Sequence, residues 1–169
     1  LAAGFDKNAR VADRMVRFGF GSVEVGTITP QPQIGNPKPR LFRLQEDRAV
    51  INRFGFNNGG CAAAADNITA IRARQCPKAK GCALPVPLGI NIGANKDSID
   101  RVADYALLAG RFAATADYLT VNISSPNTPG LRALQDEGAL DALLSAVKAQ
   151  SGTRPVFLKV APDLLPADI

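Results

Sequence analysis

At 169 residues, 46% of them apolar, the chain is long enough for one substantial hydrophobic core and shows no sign of a second. A formal net charge of +5 suits anionic small molecules, a lipid surface or nucleic acid, but the few aromatics do not interleave with the basic residues, which argues against a nucleic-acid-binding module. The absence of histidine excludes a histidine-based triad or histidine-ligated metal within the chain, and the three cysteines are too few for a zinc site.

In chain order, Leu1-Ala2-Ala3-Gly4-Phe5 reads as a buried strand that opens the sequence without a methionine. Val11, Met15 and Phe18 recur at helical spacing and stop at Gly19, and residues 21–29 read as a second strand. From Pro30 to Phe56 runs a long connection with four prolines and a basic cluster of Arg40, Arg43, Arg48 and Arg53. Two short apolar stretches within it, Leu41-Phe42 and Ala49-Val50-Ile51, suggest a small hairpin, and a connection this long is usually a lid or binding loop. Residues 59–74 are alanine-rich and helical in character, with a poor period. Arg72, Arg74, Lys78 and Lys80 form a second basic region, and Cys76 and Cys82 bracket an expected surface loop. An odd cysteine count without secretory context favours a reducing compartment. Strand 87–93 follows, then a helix marked by Ile99, Val102, Ala103, Ala106 and Leu107. Strand 118–124 comes next, and Leu140, Leu143, Leu144 and Val147 mark the clearest helix, opened by Asp136 and closed near Gly152. A last strand covers 156–161, and Pro166-Ala167-Asp168-Ile169 reads as the first turn of a further helix. No apolar run approaches the ~20 residues of a membrane span.

Alternating strands and helices with short connections indicate parallel βα units. Leu88, Ile90 and Ile92 form one aliphatic row, as do Leu119, Val121 and Ile123, and Val156, Leu158 and Val160. The opposite faces carry Asn91, Asn122 and Lys159 near the strand ends. A (β/α)₈ TIM barrel explains the pattern, with aliphatic rows against the helices and polar groups converging at the top of the bore. The second strand departs from it, because Thr27 falls on the Val23-Val25 row. About five of eight strands are expected, so 1–169 is read as a single partial domain, cut at both ends.

The chemistry is concentrated after strand 118–124. Asn122-Ile123-Ser124-Ser125-Pro126-Asn127-Thr128-Pro129-Gly130 ends an apolar strand in two hydroxyls, an amide and two prolines, which hold side chains at defined angles. Two amides flanking a hydroxyl form a polar cradle for a flat, hydrogen-bonding molecule. With Lys7, Asn52 and Asn91 they make up the candidate set, and Lys159, read as buried in a barrel strand, asks for an anionic ligand or a carboxylate such as Asp163.

These motifs resemble those of class 2, quinone-dependent dihydroorotate dehydrogenases. The resemblance is carried by Ala2-Ala3-Gly4-Phe5-Asp6-Lys7, Val25-Gly26-Thr27-Ile28-Thr29-Pro30, Gly35-Asn36-Pro37 with Pro39-Arg40, and Ile51-Asn52-Arg53-Phe54-Gly55-Phe56-Asn57. Gly89-Ile90-Asn91-Ile92-Gly93, the Asn122 to Arg132 segment and Lys159-Val160-Ala161-Pro162-Asp163 continue it in family order; 75–83 departs as a variable insertion. Serine at 125, where class 1 relatives have cysteine, favours class 2 over enzymes using fumarate or NAD.

The resemblance implies FMN-dependent oxidation of (S)-dihydroorotate to orotate in pyrimidine biosynthesis, with a quinone as acceptor. Ser125 would be the base that takes the C5 proton. Lys7, Asn52, Arg53, Phe54, Gly55, Phe56, Asn122 and Asn127 would contact substrate. Ala2, Ala3, Gly4, Thr27, Asn91, Asn122 and Lys159 would contact FMN, and Arg43 would lie on the quinone side. It also implies peripheral association with a bacterial cytoplasmic or mitochondrial inner membrane, with the family's phosphate-holding loops, Thr-Asn-Thr segment and N-terminal helical pair outside these residues. The isolated polypeptide is therefore expected to bind FMN poorly and to be inactive. The competing expectations are an inactive FMN- or pyrimidine-binding barrel and, further off, a basic nucleic-acid-binding module.

Overall fold

The computed structural model describes residues 1–75 and 86–164. The Cys76–Cys82 loop, Lys78, Lys80 and the helical turn expected at 166–169 lie outside the described residues. Four strands form one parallel sheet: β1 (Val23–Ile28), β4 (Leu88–Ile92), β5 (Tyr118–Asn122) and β6 (Val156–Lys159), in that spatial order. Between β1 and β4, β2 (Leu41–Leu44) and β3 (Ala49–Asn52) make the expected antiparallel hairpin, pairing Phe42 with Ile51 and Leu44 with Ala49. Helices α1 (Ala12–Met15), α2 (Gly60–Gln75), α3 (Arg101–Phe112) and α4 (Glu137–Ser151) alternate with the strands.

Spatial order that follows chain order, with one sheet face apolar and one polar, is the architecture of a run of units from a (β/α)₈ barrel. A doubly wound sheet would reverse its strand order at a switch point. The aliphatic rows lie on the helix side as expected. Val23, Val25, Ile28, Leu88, Ile90, Ile92, Leu119, Val121 and Ile123 are buried in one core with residues of α2, α3 and α4. Each fully buried aliphatic side chain contributes roughly 1.5–3 kcal/mol.

Three sequence expectations are corrected. Residues 1–5 form no strand. They run beside β1 through hydrogen bonds from the Glu24 amide to the Leu1 carbonyl (2.8 Å) and from the Gly4 amide to the Gly26 carbonyl (2.8 Å). A φ of +108° at Gly4 breaks the extended course, and Phe5 points outward. In α3, Ile99 precedes the helix and is fully exposed, and Leu107 is exposed as well. The buried face is Tyr105, Leu108, Ala109 and Phe112, a cleaner i, i+3, i+4, i+7 set with the larger aromatics. The N-terminal helix is a single α turn continued by a 3₁₀ turn, Val16–Phe18, which leaves Phe18 exposed; Gly19 ends it at φ +84° as expected.

The poor period of α2 has a simple origin. Its buried face is Ala64, Ile68 and Ile71, and alanines all round blur the contrast with the outer face. Part of the basic character is structural: Arg72 pairs with Asp117 at 3.0 Å and Arg74 with Asp13 at 3.1 Å.

Candidate active site

The polar face of the sheet forms the floor of the site. Strict alternation would send Thr27 to the helix side with Val23 and Val25. A register shift between Val25 and Ile28, with Gly26 at φ +112°, inserts an extra residue and turns Thr27 inward beside Glu24. A Cβ at Gly26 would lie 2.4 Å from the Asn91 carbonyl oxygen, so β1 and β4 approach this closely only because residue 26 is glycine.

The inward groups satisfy one another. Thr27 Oγ1 donates to Asn91 Oδ1 (2.6 Å), and Asn122 Nδ2 donates to Thr27 Oγ1 (3.0 Å) and Asn91 Oδ1 (3.1 Å). Asn91 Nδ2 donates to Glu24 Oε1 (2.8 Å), and Thr120 Oγ1 donates to Glu24 Oε2 (2.9 Å). Asn122 Oδ1 accepts from the amide (3.2 Å) and hydroxyl (2.8 Å) of Ser124, while the buried Tyr105 hydroxyl donates to the Asn122 carbonyl at 2.7 Å. Burial pushes the Tyr105 hydroxyl above its ordinary pKa and keeps it a donor.

The rim is built from loops. After β5, the Asn127 amide donates to Ser125 Oγ at 3.3 Å, and Asn127 Nδ2 reaches the Asn52 carbonyl at 3.5 Å. Arg132, on a 3₁₀ turn (Leu131–Gln135), donates to the Ser124 carbonyl at 3.2 Å and pairs with Asp163 at 3.1 Å. Asn36 joins the long connection to this segment: its Nδ2 donates to the Asn127 carbonyl (3.1 Å) and its amide to the Phe54 carbonyl (3.0 Å). Gly55, at φ +70°, leaves room for Asn36; a Cβ there would meet the Asn36 side chain at 2.9 Å.

Floor and rim enclose a cavity of about 590 Å³, within the range of small-molecule sites. Of the residues singled out from sequence, Ala3, Gly4, Lys7, Thr27, Asn52, Phe54, Gly55, Phe56, Asn122, Ser125, Asn127 and Lys159 line it. Ala2, Arg53, Asn91 and Arg43 do not. Ala2 is exposed beside β1. Arg53 is turned to the hairpin, its Nε donating to the Pro39 carbonyl (3.0 Å) and its guanidinium 5.8 Å from the centre of the Phe42 ring. Asn91 is completely buried and bonded to Thr27 and Asn122, and Arg43 lies on the exposed hairpin. Ser124, Pro126, Arg132 and Pro162 also line the cavity; the first three sit inside the Asn122 to Arg132 segment, which was the available signal. Thr128 Oγ1, in the same segment, is buried without a hydrogen-bond partner among the described residues. Glu24 was missed, although an acid within an apolar strand needs partners.

Lys159 departs from expectation: it is exposed on β6 rather than buried, and Asp163 pairs with Arg132 instead. Lys7 lies over the Phe54 ring at 5.0 Å, and its pKa is lowered by burial and then by the nearby Arg40. Among the described residues neither lysine pairs with a carboxylate. At Gly4 an added Cβ would meet only Lys7 Nζ, at 3.9 Å, so the backbone there is open. Two unpaired cations, an open glycine edge, amides and a lightly bonded hydroxyl fit a flat, anionic, hydrogen-bonding ligand.

A family model described as dihydroorotate dehydrogenase matches residues 1–169. A dihydroorotate dehydrogenase (quinone) of Sphingopyxis alaskensis is 67% identical over 172 residues, covering 100% of this chain and 46% of that protein. One from Novosphingobium aromaticivorans is 66% identical over 171 residues, covering 100% and 48%. The solved structure of the Eimeria tenella enzyme in complex with ferulenol superposes with a TM-score of 0.89 at 40% identity, over 99% of this chain and 50% of that one. Its ligand-free form gives 0.88 at 42%, over 99% and 52%. The chain thus spans about half the length of the relatives it matches.

Proposed function

The chain belongs to the dihydroorotate dehydrogenase family, and from that premise we propose that its cavity is the substrate-facing part of an enzyme that oxidises (S)-dihydroorotate to orotate with a quinone as final acceptor. The observation that carries the reading is the convergence of Lys7, Asn52, Ser125, Asn127 and Lys159, from four separate segments, on one cavity.

The reaction removes a proton from C5 and a hydride from C6 and leaves a C5=C6 double bond. FMN, when bound, supplies the acceptor for the hydride. Ser125 takes the proton; its Oγ makes one hydrogen bond, as acceptor from the Asn127 amide, so its own hydrogen and a lone pair are uncommitted among the described residues. A serine hydroxyl is a weak base, and passing the proton on through a neighbouring hydroxyl or water meets that difficulty. Asn52 and Asn127 offer amide donors and acceptors to the edges of the pyrimidine. Lys7 faces the substrate carboxylate. Lys159, exposed on the bore side of β6, supplies a positive charge where the flavin ring would gain negative charge on reduction.

Asn122 acts differently from a simple pyrimidine contact. Its amide bonds are directed to Thr27, Asn91 and Ser124, so it orients the floor and the start of the catalytic loop. Quinone reduction and peripheral membrane association belong to the same reading and rest on the similarity to quinone-dependent relatives.

The test uses the full-length holoprotein. It is expected to be yellow, to bleach with dihydroorotate under anaerobic conditions, and to recover its colour with a quinone. A correctly folded but colourless protein would sink the reading.

A further inference from the structure

We propose that Glu24 is a positioning residue whose carboxylate sets the direction of the amide chain under the cofactor site. The proposal rests on the function reading above and adds to it a residue outside the cavity lining. Glu24 is the one acid within the six residues of β1, and it points to the bore. Both oxygens are engaged, Oε1 by Asn91 Nδ2 at 2.8 Å and Oε2 by Thr120 Oγ1 at 2.9 Å.

A primary amide has a donor end and an acceptor end, and in a buried site either could face either way. An ionised carboxylate only accepts, so Asn91 must turn its NH₂ to Glu24 and its oxygen to the other side. That oxygen then takes the hydrogens of Thr27 Oγ1 (2.6 Å) and Asn122 Nδ2 (3.1 Å). With its NH₂ so used, Asn122 presents its oxygen to the amide and hydroxyl of Ser124, next to Ser125. One carboxylate thereby imposes a single polarity on a chain running from β1 through β4 and β5 to the catalytic loop. Reversing Asn91 would set oxygen against oxygen at Glu24 and NH₂ against NH₂ at Asn122, and would take from the Thr27 hydroxyl hydrogen its acceptor. In a buried network those mismatches are costly, so the floor is held in one state before ligand arrives.

The test exchanges the polarity of the pair in the full-length holoprotein. Asn91→Asp places a carboxylate against Glu24 and is expected to lower the rate of flavin reduction by dihydroorotate at least ~10-fold. Adding Glu24→Gln restores a donor–acceptor match: the glutamine amide donates to the carboxylate introduced at position 91, whose other oxygen still faces Thr27 and Asn122 as an acceptor. The double variant is expected to recover to within ~3-fold of wild type, with the thermal midpoint of the flavin-free protein recovering in parallel. A generally damaged strand would give no such reciprocal rescue. A double variant no better than Asn91→Asp, in folding or in rate, overturns the proposal, as does Asn91→Asp behaving like wild type. If wild type itself fails to oxidise dihydroorotate, the function reading falls, while the midpoints of the flavin-free variants still decide the role of Glu24.

Discussion

The floor and the rim of the cavity are both polar, yet they are built on opposite plans. On the floor, Glu24, Thr27, Asn91, Thr120 and Asn122 come from rigid parallel strands, and each finds its partner in another. On the rim, Ser125 Oγ accepts a single hydrogen bond at 3.3 Å, Asn127 Nδ2 reaches Asn52 only at 3.5 Å, and Lys7 and Lys159 have no carboxylate among the described residues. A satisfied network contributes order and has little left to offer a ligand. A sparse one contributes little to stability and keeps its donors and charges for the substrate. Floor substitutions should therefore act on folding, and on rate only together with it, whereas rim substitutions should act on catalysis with folding little changed.

The largest effect is expected from Ser125→Ala. Losing the proposed proton acceptor should slow flavin reduction by dihydroorotate about 10²- to 10⁴-fold. Stability should change by less than about 1 kcal/mol, since one long hydrogen bond is lost. Stopped-flow absorbance and thermal melting read the two quantities on the same preparation. A large drop in melting temperature, or an unchanged rate, would place Ser125 with the floor and break the division.

Thr27→Val is the converse case. The shape is kept, but Asn91 Oδ1 loses its 2.6 Å donor and Asn122 Nδ2 an acceptor, both in buried positions. A cost of roughly 1–3 kcal/mol is expected, read as a lower urea midpoint at unchanged m-value. A variant as stable as wild type would mean that the floor is not tightly coupled.

Much of this division was legible in the sequence, for reasons that differ by element. The aliphatic rows of β4 and β5 were readable because burial enforces period-2 alternation on strands covered by helices. The hairpin was readable because Leu41-Phe42 and Ala49-Val50-Ile51 stand out in a polar, proline-rich connection. Thr27 could not be placed, since the extra residue at Gly26 shifts the alternation and the shift arises from pairing with β4. Lys159 was expected to be buried because it lies in a barrel strand, whereas β6 stands last in the sheet order and its bore side is open. Asn36 and Glu24 act through partners 91 and 67 or more residues away in sequence, which no local pattern reports.

Gly55→Ala probes the joint between the two regions. A Cβ would meet Asn36 at 2.9 Å, and φ at +70° disfavours any side chain there, for a cost of about 1–2 kcal/mol. Displacing Asn36 also removes its bond to the Asn127 carbonyl. The KM for dihydroorotate should therefore rise more than kcat falls, with flavin content unchanged. Loss of flavin instead would show that this loop supports the floor as well.

Lys7 offers the smallest effect and the sharpest sign. Its pKa in the folded protein lies below the ordinary 10.5, through burial first and the charge of Arg40 second. Between the lowered value and 10.5 the unfolded chain holds a proton that the folded chain has released, so stability rises with pH across that window. Below the window the folded protein bears the cost of a charged, partly buried ammonium, a cost that a bound anion would offset. Lys7→Met removes the titrating group while keeping the aliphatic packing on Phe54. Its urea midpoint should therefore match or exceed wild type at neutral pH and lack the alkaline rise. Affinity for dihydroorotate, an anion, should fall in the same variant. Thr27 on the floor and Lys7 on the rim would then differ in sign: removing the first weakens the fold, and removing the second relaxes it at the expense of binding. Parallel midpoint-against-pH curves for Lys7→Met and wild type would show that Lys7 is already neutralised by a partner, and the rim would no longer hold charge in reserve.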